Sequence, residues 1–143
     1  MIEITCRVFI FSGNEILLCK QKNPPRDYWT LPGGSVYEGE TIIECIQREI
    51  VEELGVSIKV DQLLYIREMI TDIRHRVEFY FSADVANDDF VKSQVSACSE
   101  IEAVKFILLD EVSNYIVKPE CISDLATRYL NDEIFPQYLG NVR

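Results

Sequence analysis

Residues 34–56 read GSVYEGETIIECIQREIVEELGV. Thr41 offers a side chain suited to a helix N-cap, and Glu44, three residues on, completes a capping box. Gly55 stands where a left-handed residue closes a helix. The spacing predicts a helix over 41–54. Ile43, Ile46, Ile50 and Leu54 fall within about 80° of one another at ~100° per residue, a stripe that belongs against a core. Beside it, Glu49, Glu52 and Glu53 span about 100° at i, i+3 and i+4. Like charges one turn apart destabilise a helix by a few tenths of a kcal/mol per pair, and the Glu44–Arg48 and Arg48–Glu52 spacings offset this in part. Such a cluster reads as a solvated acidic face or as converging carboxylates, which hard divalent cations bind. The Gly33-Gly34 approach to the helix favours the second reading, because glycine lets backbone come close to a ligand.

Working outward, residues 2–11 alternate with period two, with Ile2, Ile4, Cys6, Val8 and Ile10 on one face. Residues 12–14 form a turn, and 15–20 the returning strand of a hairpin. Residues 21–40 make a long loop with Pro24, Pro25, Pro32, Gly33 and Gly34, in which Trp29 and Leu31 occupy a short extended piece; loops this long in small domains are functional or disordered. Residues 56–70 read as one or two strands. Over 76–85, Val77, Phe79, Phe81, Ala83 and Val85 face one way, and Arg76, Glu78, Tyr80, Ser82 and Asp84 the other. A polar loop over 87–99 leads to a strand at 102–108. Asp110 is placed to cap a short helical turn. A second helix runs from Pro119 at its first position to residue 130, with Ile122, Leu125, Ala126 and Tyr129 at helical spacing. Strands, an early helix, strands and a late helix predict an α/β domain over 1–143, a mixed sheet with helices packed on it.

Composition narrows the partners. The chain has 143 residues, 48% of them hydrophobic, and a formal net charge of −10. That charge argues against a nucleic acid polymer or an anionic membrane surface as the main partner. It leaves room for a small phosphorylated ligand, because a bound cation reverses the local sign. Cys6, Cys19, Cys45, Cys98 and Cys121 are scattered, with no CxxC or Cys/His grouping, which predicts free thiols and a cytoplasmic setting. The first residues lack the basic start and cleavage site of a signal peptide, and no run reaches the roughly 18 apolar residues of a membrane helix. His75 is the single histidine, so no histidine-based triad or metal site is available.

The opening stretch resembles the signature of the Nudix hydrolase family: G, five residues, E, seven residues, then R-E-U-x-E-E-x-G-U with U a bulky aliphatic. Here these are Gly34, Glu40 and Arg48-Glu49-Ile50-Val51-Glu52-Glu53-Leu54-Gly55-Val56, and every position matches. At average residue frequencies the fixed positions coincide in roughly one window per 10⁸, so chance does not explain the match. The resemblance implies a Nudix α/β/α sandwich with a mixed β-sheet. It implies hydrolysis of the pyrophosphate linkage in a nucleoside diphosphate joined to a further moiety, with Mg²⁺ or Mn²⁺ as cofactor. By position, Glu49 and Glu53 would ligate metal with Glu52 beside them. Glu40 would join through water or a second ion, the Gly34 carbonyl would complete a coordination sphere, and Arg48 would orient Glu49. The catalytic base is Glu53 or a carboxylate from a later loop, Glu100 ahead of Glu102.

Substrate contacts are less tightly specified. Tyr28 and Trp29 read as base-stacking rings or as strand core. Gly33 and Gly34 bring backbone to the substrate. Arg74 and Arg76, flanking His75, read as phosphate or ribose contacts or as a solvated turn, and Arg26 is a further phosphate candidate. Subgroup markers are absent, which leaves a MutT-like hydrolase of nucleoside triphosphates or related small nucleotides. A nucleotide-sensing module without catalysis is the alternative, although such modules lose box glutamates that this chain keeps. An isoprenoid diphosphate isomerase-like enzyme would need a cysteine and a glutamate in motifs not found here. A sheet edge or the apolar segment holding Ile134, Phe135, Tyr138 and Leu139 could support a homodimer.

Overall fold

The capping box at Thr41 is formed. The Glu44 N–H donates to Thr41 Oγ1 at 3.1 Å, and Thr41 N–H donates to Glu44 Oε2 at 3.1 Å. Helix α1 (Ile42–Leu54) then runs to Gly55, whose φ of 70° and ψ of 15° are left-handed as expected. The stripe differs at one position. Cys45, Ile46, Ile50 and Leu54 are buried, whereas Ile43 is 44% exposed. The buried face is rotated by part of a turn toward Cys45, which packs against β1 (Ile2–Phe9) with its Sγ 3.0 Å from that of Cys6.

The computed structural model describes residues 1–22, 24–84, 95–98, 100–133 and 136–142. The expected placement of Val85, most of the 87–99 loop, Ile134 and Phe135 lies outside the described residues. Among them, two sheets carry the fold. In the larger, mixed sheet the order is β4 (Gly33–Ser35), β1, β6 (His75–Asp84), β5 (Lys59–Ile70) and β8 (Tyr138–Asn141); β1–β6 and β5–β8 are parallel, the other pairs antiparallel. The smaller sheet is β2 (Phe11–Ser12), β3 (Glu15–Gln21) and β7 (Ile101–Leu108), all antiparallel. The region read as one or two strands over 56–70 is one strand, bent by register shifts between Val60 and Tyr65.

Alternation along the strands feeds two cores, one under each helix. Cys6 and Val8 of β1, Leu17 and Cys19 of β3 and Phe81 of β6 pack with α1. Phe9, Leu18, Tyr65 and Tyr80 point the other way and pack with α2 (Ile122–Leu130), which buries Ile122, Leu125 and Ala126. This is the expected α/β/α arrangement. The face of β6 that carries Glu78, Tyr80 and Ser82 is therefore as buried as its apolar face, because the strand is central. The apolar face of β1 is buried only from Cys6 onward; Ile2 and Ile4 lie exposed toward the strand's start.

Three local expectations change. The glycine approach is a strand: β4 pairs with β1, with Cys6 opposite Gly34 and Arg7 opposite Gly33. Asp110 caps nothing; it lies inside a 3₁₀ turn (Leu109–Asn114) that has no side-chain cap. Helix α2 starts at Ile122, so Pro119 precedes it and is not its first residue. Tyr138 and Leu139 lie in β8, the edge strand paired to β5, in which Tyr138 is exposed and Leu139 half-buried.

Candidate active site

Gly33 and Gly34 are required where they stand. Gly33 has φ 147°, and a Cβ there would lie 2.0 Å from the Cys6 carbonyl oxygen. At Gly34 a Cβ would lie 2.5 Å from the Glu49 carboxylate. The missing side chains allow β4 to press against the acidic face of α1, and the Gly33 N–H points to Glu53 Oε1 at 3.4 Å. Glu49, Glu52, Glu53, Gly33 and Gly34 line one cavity of about 800 Å³.

Arg48 organises the acids from one side. Its Nε and Nη2 grip Glu40 at 3.1 and 2.7 Å, its Nη1 reaches Glu49 at 2.8 Å and Glu52 at 3.3 Å, and Nη2 also donates to the Ser35 carbonyl. The guanidinium lies 3.7 Å from the centre of the Tyr37 ring, a cation–π contact that restricts its plane. The bidentate grip of Arg48, with the Tyr37 N–H, pulls the Glu40 carboxyl down to about 2. Glu53 behaves oppositely. Burial pushes its carboxyl up to about 9, with Arg7 opposing and the neighbouring Glu49 carboxylate adding to the rise.

A second charged group supports the cavity from the sheet. Glu78 accepts from Thr5 Oγ1 at 2.8 Å, Arg7 Nε at 3.2 Å, Arg67 Nη2 at 2.8 Å and the Tyr80 hydroxyl. Arg67 spends its remaining donors on Tyr80 and the Val142 carbonyl, and Arg7 donates to the Leu31 carbonyl. Against the pull of burial, the two guanidiniums hold the Glu78 carboxyl at about 2. Sequence reasoning missed this network. Its signal was an arginine and a glutamate at the centres of two strands, where a charged side chain needs a partner on the adjacent strand.

The structure brings most expected site residues to the cavity. Glu49, Glu52, Glu53, Glu100, Gly33, Gly34 and Arg76 line it; Arg48 stands behind in contact with Glu49 and Glu52, and Glu40 pairs with Arg48. Trp29 is buried edge-on against Tyr115 and does not line it, whereas Tyr28 does. Arg74 is on the β5–β6 turn, paired with Glu3 at 2.9 Å, and Arg76 shares that carboxylate at 3.1 Å. Among the described residues, no group of three or more His, Cys, Asp or Glu side chains is placed to hold a metal ion. What stands together is the Glu49–Glu53 pair against the Gly34 backbone. All-oxygen donors of this kind suit a hard cation that takes one or two carboxylates and completes its shell with phosphate and water.

A glycine strand pressed on an acidic helix, over one cavity of an α/β/α sandwich, defines a class, and the chain belongs to it: the NUDIX domain family matches residues 1–125. The particulars are these. The chain is 38% identical over 66 residues to the human 8-oxo-dGDP phosphatase NUDT18, a match that covers 46% of this chain and 20% of that protein. It is 52% identical over 56 residues to the ADP-ribose pyrophosphatase of Methanocaldococcus jannaschii, covering 38% and 33%. The matched stretches are thus a third or less of these relatives. The crystal structure of a MutT NUDIX hydrolase from Burkholderia pseudomallei superposes with a TM-score of 0.69 at 26% identity, over 94% of this chain and 99% of that one. No helix among the described residues is long and apolar enough to cross a membrane.

Proposed function

We propose that the chain is a Mg²⁺- or Mn²⁺-dependent pyrophosphohydrolase acting on a nucleoside diphosphate joined to a further moiety, with nucleoside triphosphates or related small nucleotides as its substrates. The observation that carries this reading is the Glu49–Glu53 pair held between Arg48 and the Gly33-Gly34 strand, in a cavity large enough for a nucleotide. The names of the two relatives both specify a substrate containing a nucleoside diphosphate, 8-oxo-dGDP and ADP-ribose. The free cysteines suit a reducing compartment, and we place the protein in the cytoplasm on that ground.

In this reading Glu49, Glu53 and the Gly34 carbonyl hold the divalent ion, with Glu52 and Glu40 as further acids. The ion supplies Lewis acidity and cancels charge on the pyrophosphate. The protein's own residues do the rest. Arg48 fixes the Glu49 carboxylate, so that little reorganisation is needed when the substrate binds. Water adds across the P–O–P bridge: a P–O bond forms at one phosphorus and the other phosphate leaves. A carboxylate takes the water's proton. Glu53 fits this role by its place, lining the cavity beside the Gly33 N–H, and Glu100, on the same cavity, is the second candidate.

The test is release of phosphate or pyrophosphate from a nucleotide panel with Mg²⁺ and Mn²⁺, beside Glu53→Gln. We expect turnover that needs the cation and falls by about 10²-fold or more in the variant. Near-normal turnover in a folded Glu53→Gln protein overturns the mechanism. Calorimetric titration of Mg²⁺ into both proteins reads the metal assignment without activity, and equal binding would remove Glu53 from the ligand set.

A further inference from the structure

The cavity lined by the acids of α1 also takes in Arg26, Tyr28 and Lys118. Lys118 Nζ lies 5.0 Å from the centre of the Tyr28 ring and Arg26 Cζ 5.9 Å from it. Backbone contacts fix the two segments to each other. Trp29 N–H donates to the Ile116 carbonyl at 2.8 Å and Lys118 N–H returns to the Trp29 carbonyl at 2.9 Å; within the first segment Arg26 N–H donates to the Gln21 carbonyl at 3.1 Å. Among the described residues neither cation enters an ion pair. The chain has 24 acidic residues against 14 lysines and arginines, so unpaired cations are unexpected. Glu100 and Glu120 line the same cavity, yet neither closes on Arg26 or Lys118.

Two like charges held against one ring repel each other, and the ring face offsets each by only about 0.5–1 kcal/mol. An anion within reach of both removes the repulsion. The acids of α1 cannot receive such an anion without a cation between them, and the pyrophosphate is assigned to that ion. A phosphate beyond the pyrophosphate needs positive protein groups instead. We propose that Arg26 and Lys118, beside Tyr28, hold a substrate phosphate lying outside the scissile pyrophosphate. They thereby select nucleotides that carry one over those whose further moiety is an uncharged sugar. This rests on the pyrophosphohydrolase reading and names its substrate class.

The test compares wild type with Arg26→Gln, Lys118→Gln and the double variant. Three substrates are used: a nucleoside triphosphate, a nucleoside diphosphate joined to a neutral sugar, and one joined to a sugar phosphate. For the phosphate-bearing substrate KM rises about tenfold per lost cation, with kcat held, as expected for a charge-assisted contact. The neutral-sugar substrate is unchanged. Which of the two phosphate-bearing substrates responds identifies the source of the phosphate. Equal losses on all three, or no loss on any, overturn the clamp. If wild type hydrolyses none of them, the pyrophosphohydrolase reading fails, and the clamp is then read alone by calorimetric titration of inorganic tripolyphosphate in EDTA. The clamp requires binding that weakens as salt rises and that the double variant loses; equal binding, or none to wild type, overturns it.

Discussion

Arg48 and Glu40 form a two-pronged ion pair, Nε to Oε2 at 3.1 Å and Nη2 to Oε1 at 2.7 Å, which aims the remaining Nη1 at Glu49. A lysine has one point charge and cannot serve both acids in a plane. Arg48→Lys is expected to lower kcat by about 10- to 100-fold through a misplaced Glu49. Glu40→Gln should raise the Mg²⁺ concentration needed for half-maximal rate while leaving the unfolding midpoint near wild type. Mg²⁺ titrations of initial rate, with thermal melts of each variant, check both. A kcat near wild type in Arg48→Lys would remove its positioning role.

The two glycines separate fold from function. A Cβ at Gly33 meets backbone, the Cys6 carbonyl at 2.0 Å, and φ of 147° disfavours any side chain. Gly33→Ala therefore has to break the β1–β4 pairing, and a loss of about 2 kcal/mol or more in denaturant unfolding is expected. The atoms nearest a Cβ at Gly34 are those of the Glu49 carboxylate, the end of a flexible side chain. Gly34→Ala should fold with a near-normal midpoint and lose most of its Mg²⁺-dependent turnover. Paired melts and rates on the two variants decide this, and a Gly34→Ala protein with full activity would refute the assigned closeness.

Helix α1 was legible because its determinants are local: a capping box, a terminal glycine and an apolar period, all within fifteen residues. The grouping of the candidate site's acids on one face of α1 was legible for the same reason. Strand β4 was not, because Gly33 and Gly34 have poor strand propensity and their partners Arg7 and Cys6 are distant in sequence. The Arg67–Glu78 pair was hidden because period-two alternation assigns a residue to a face but does not say what covers that face. Here Leu31 and α2 pack on the face that also carries Tyr65 and Tyr80.

The apolar stripe of α1 shows the same limit within one helix, since a wheel gives a direction with an uncertainty of part of a turn. Ile43 is 44% exposed and Ile46 is fully buried. Ile46→Ala is expected to cost about 2–5 kcal/mol, and Ile43→Ala no more than about 0.5 kcal/mol. Urea midpoints at constant m-value measure both. Similar costs at the two sites would mean that the buried face is centred where the sequence put it.

The Glu78 network predicts the acid limb of stability. Its carboxyl is held at about 2 by Arg7 and Arg67, below the unfolded value of 4.5. A depressed folded pKa contributes stability that is complete above the unfolded value and is lost as pH falls from about 4.5 toward 2. The shift corresponds to about 3 kcal/mol at neutral pH. Glu78→Gln removes the titration and leaves two guanidiniums beside a neutral amide, with Arg67 almost wholly buried. At pH 7 the variant should be less stable by about 3–5 kcal/mol. Because only wild type loses the Glu78 contribution on acidification, the gap between the two proteins should narrow between pH 4.5 and 2. Urea unfolding of both proteins at pH 7, 4.5 and 3 measures this. A gap that stays constant across that window would mean that Glu78 does not carry the charge balance assigned to it.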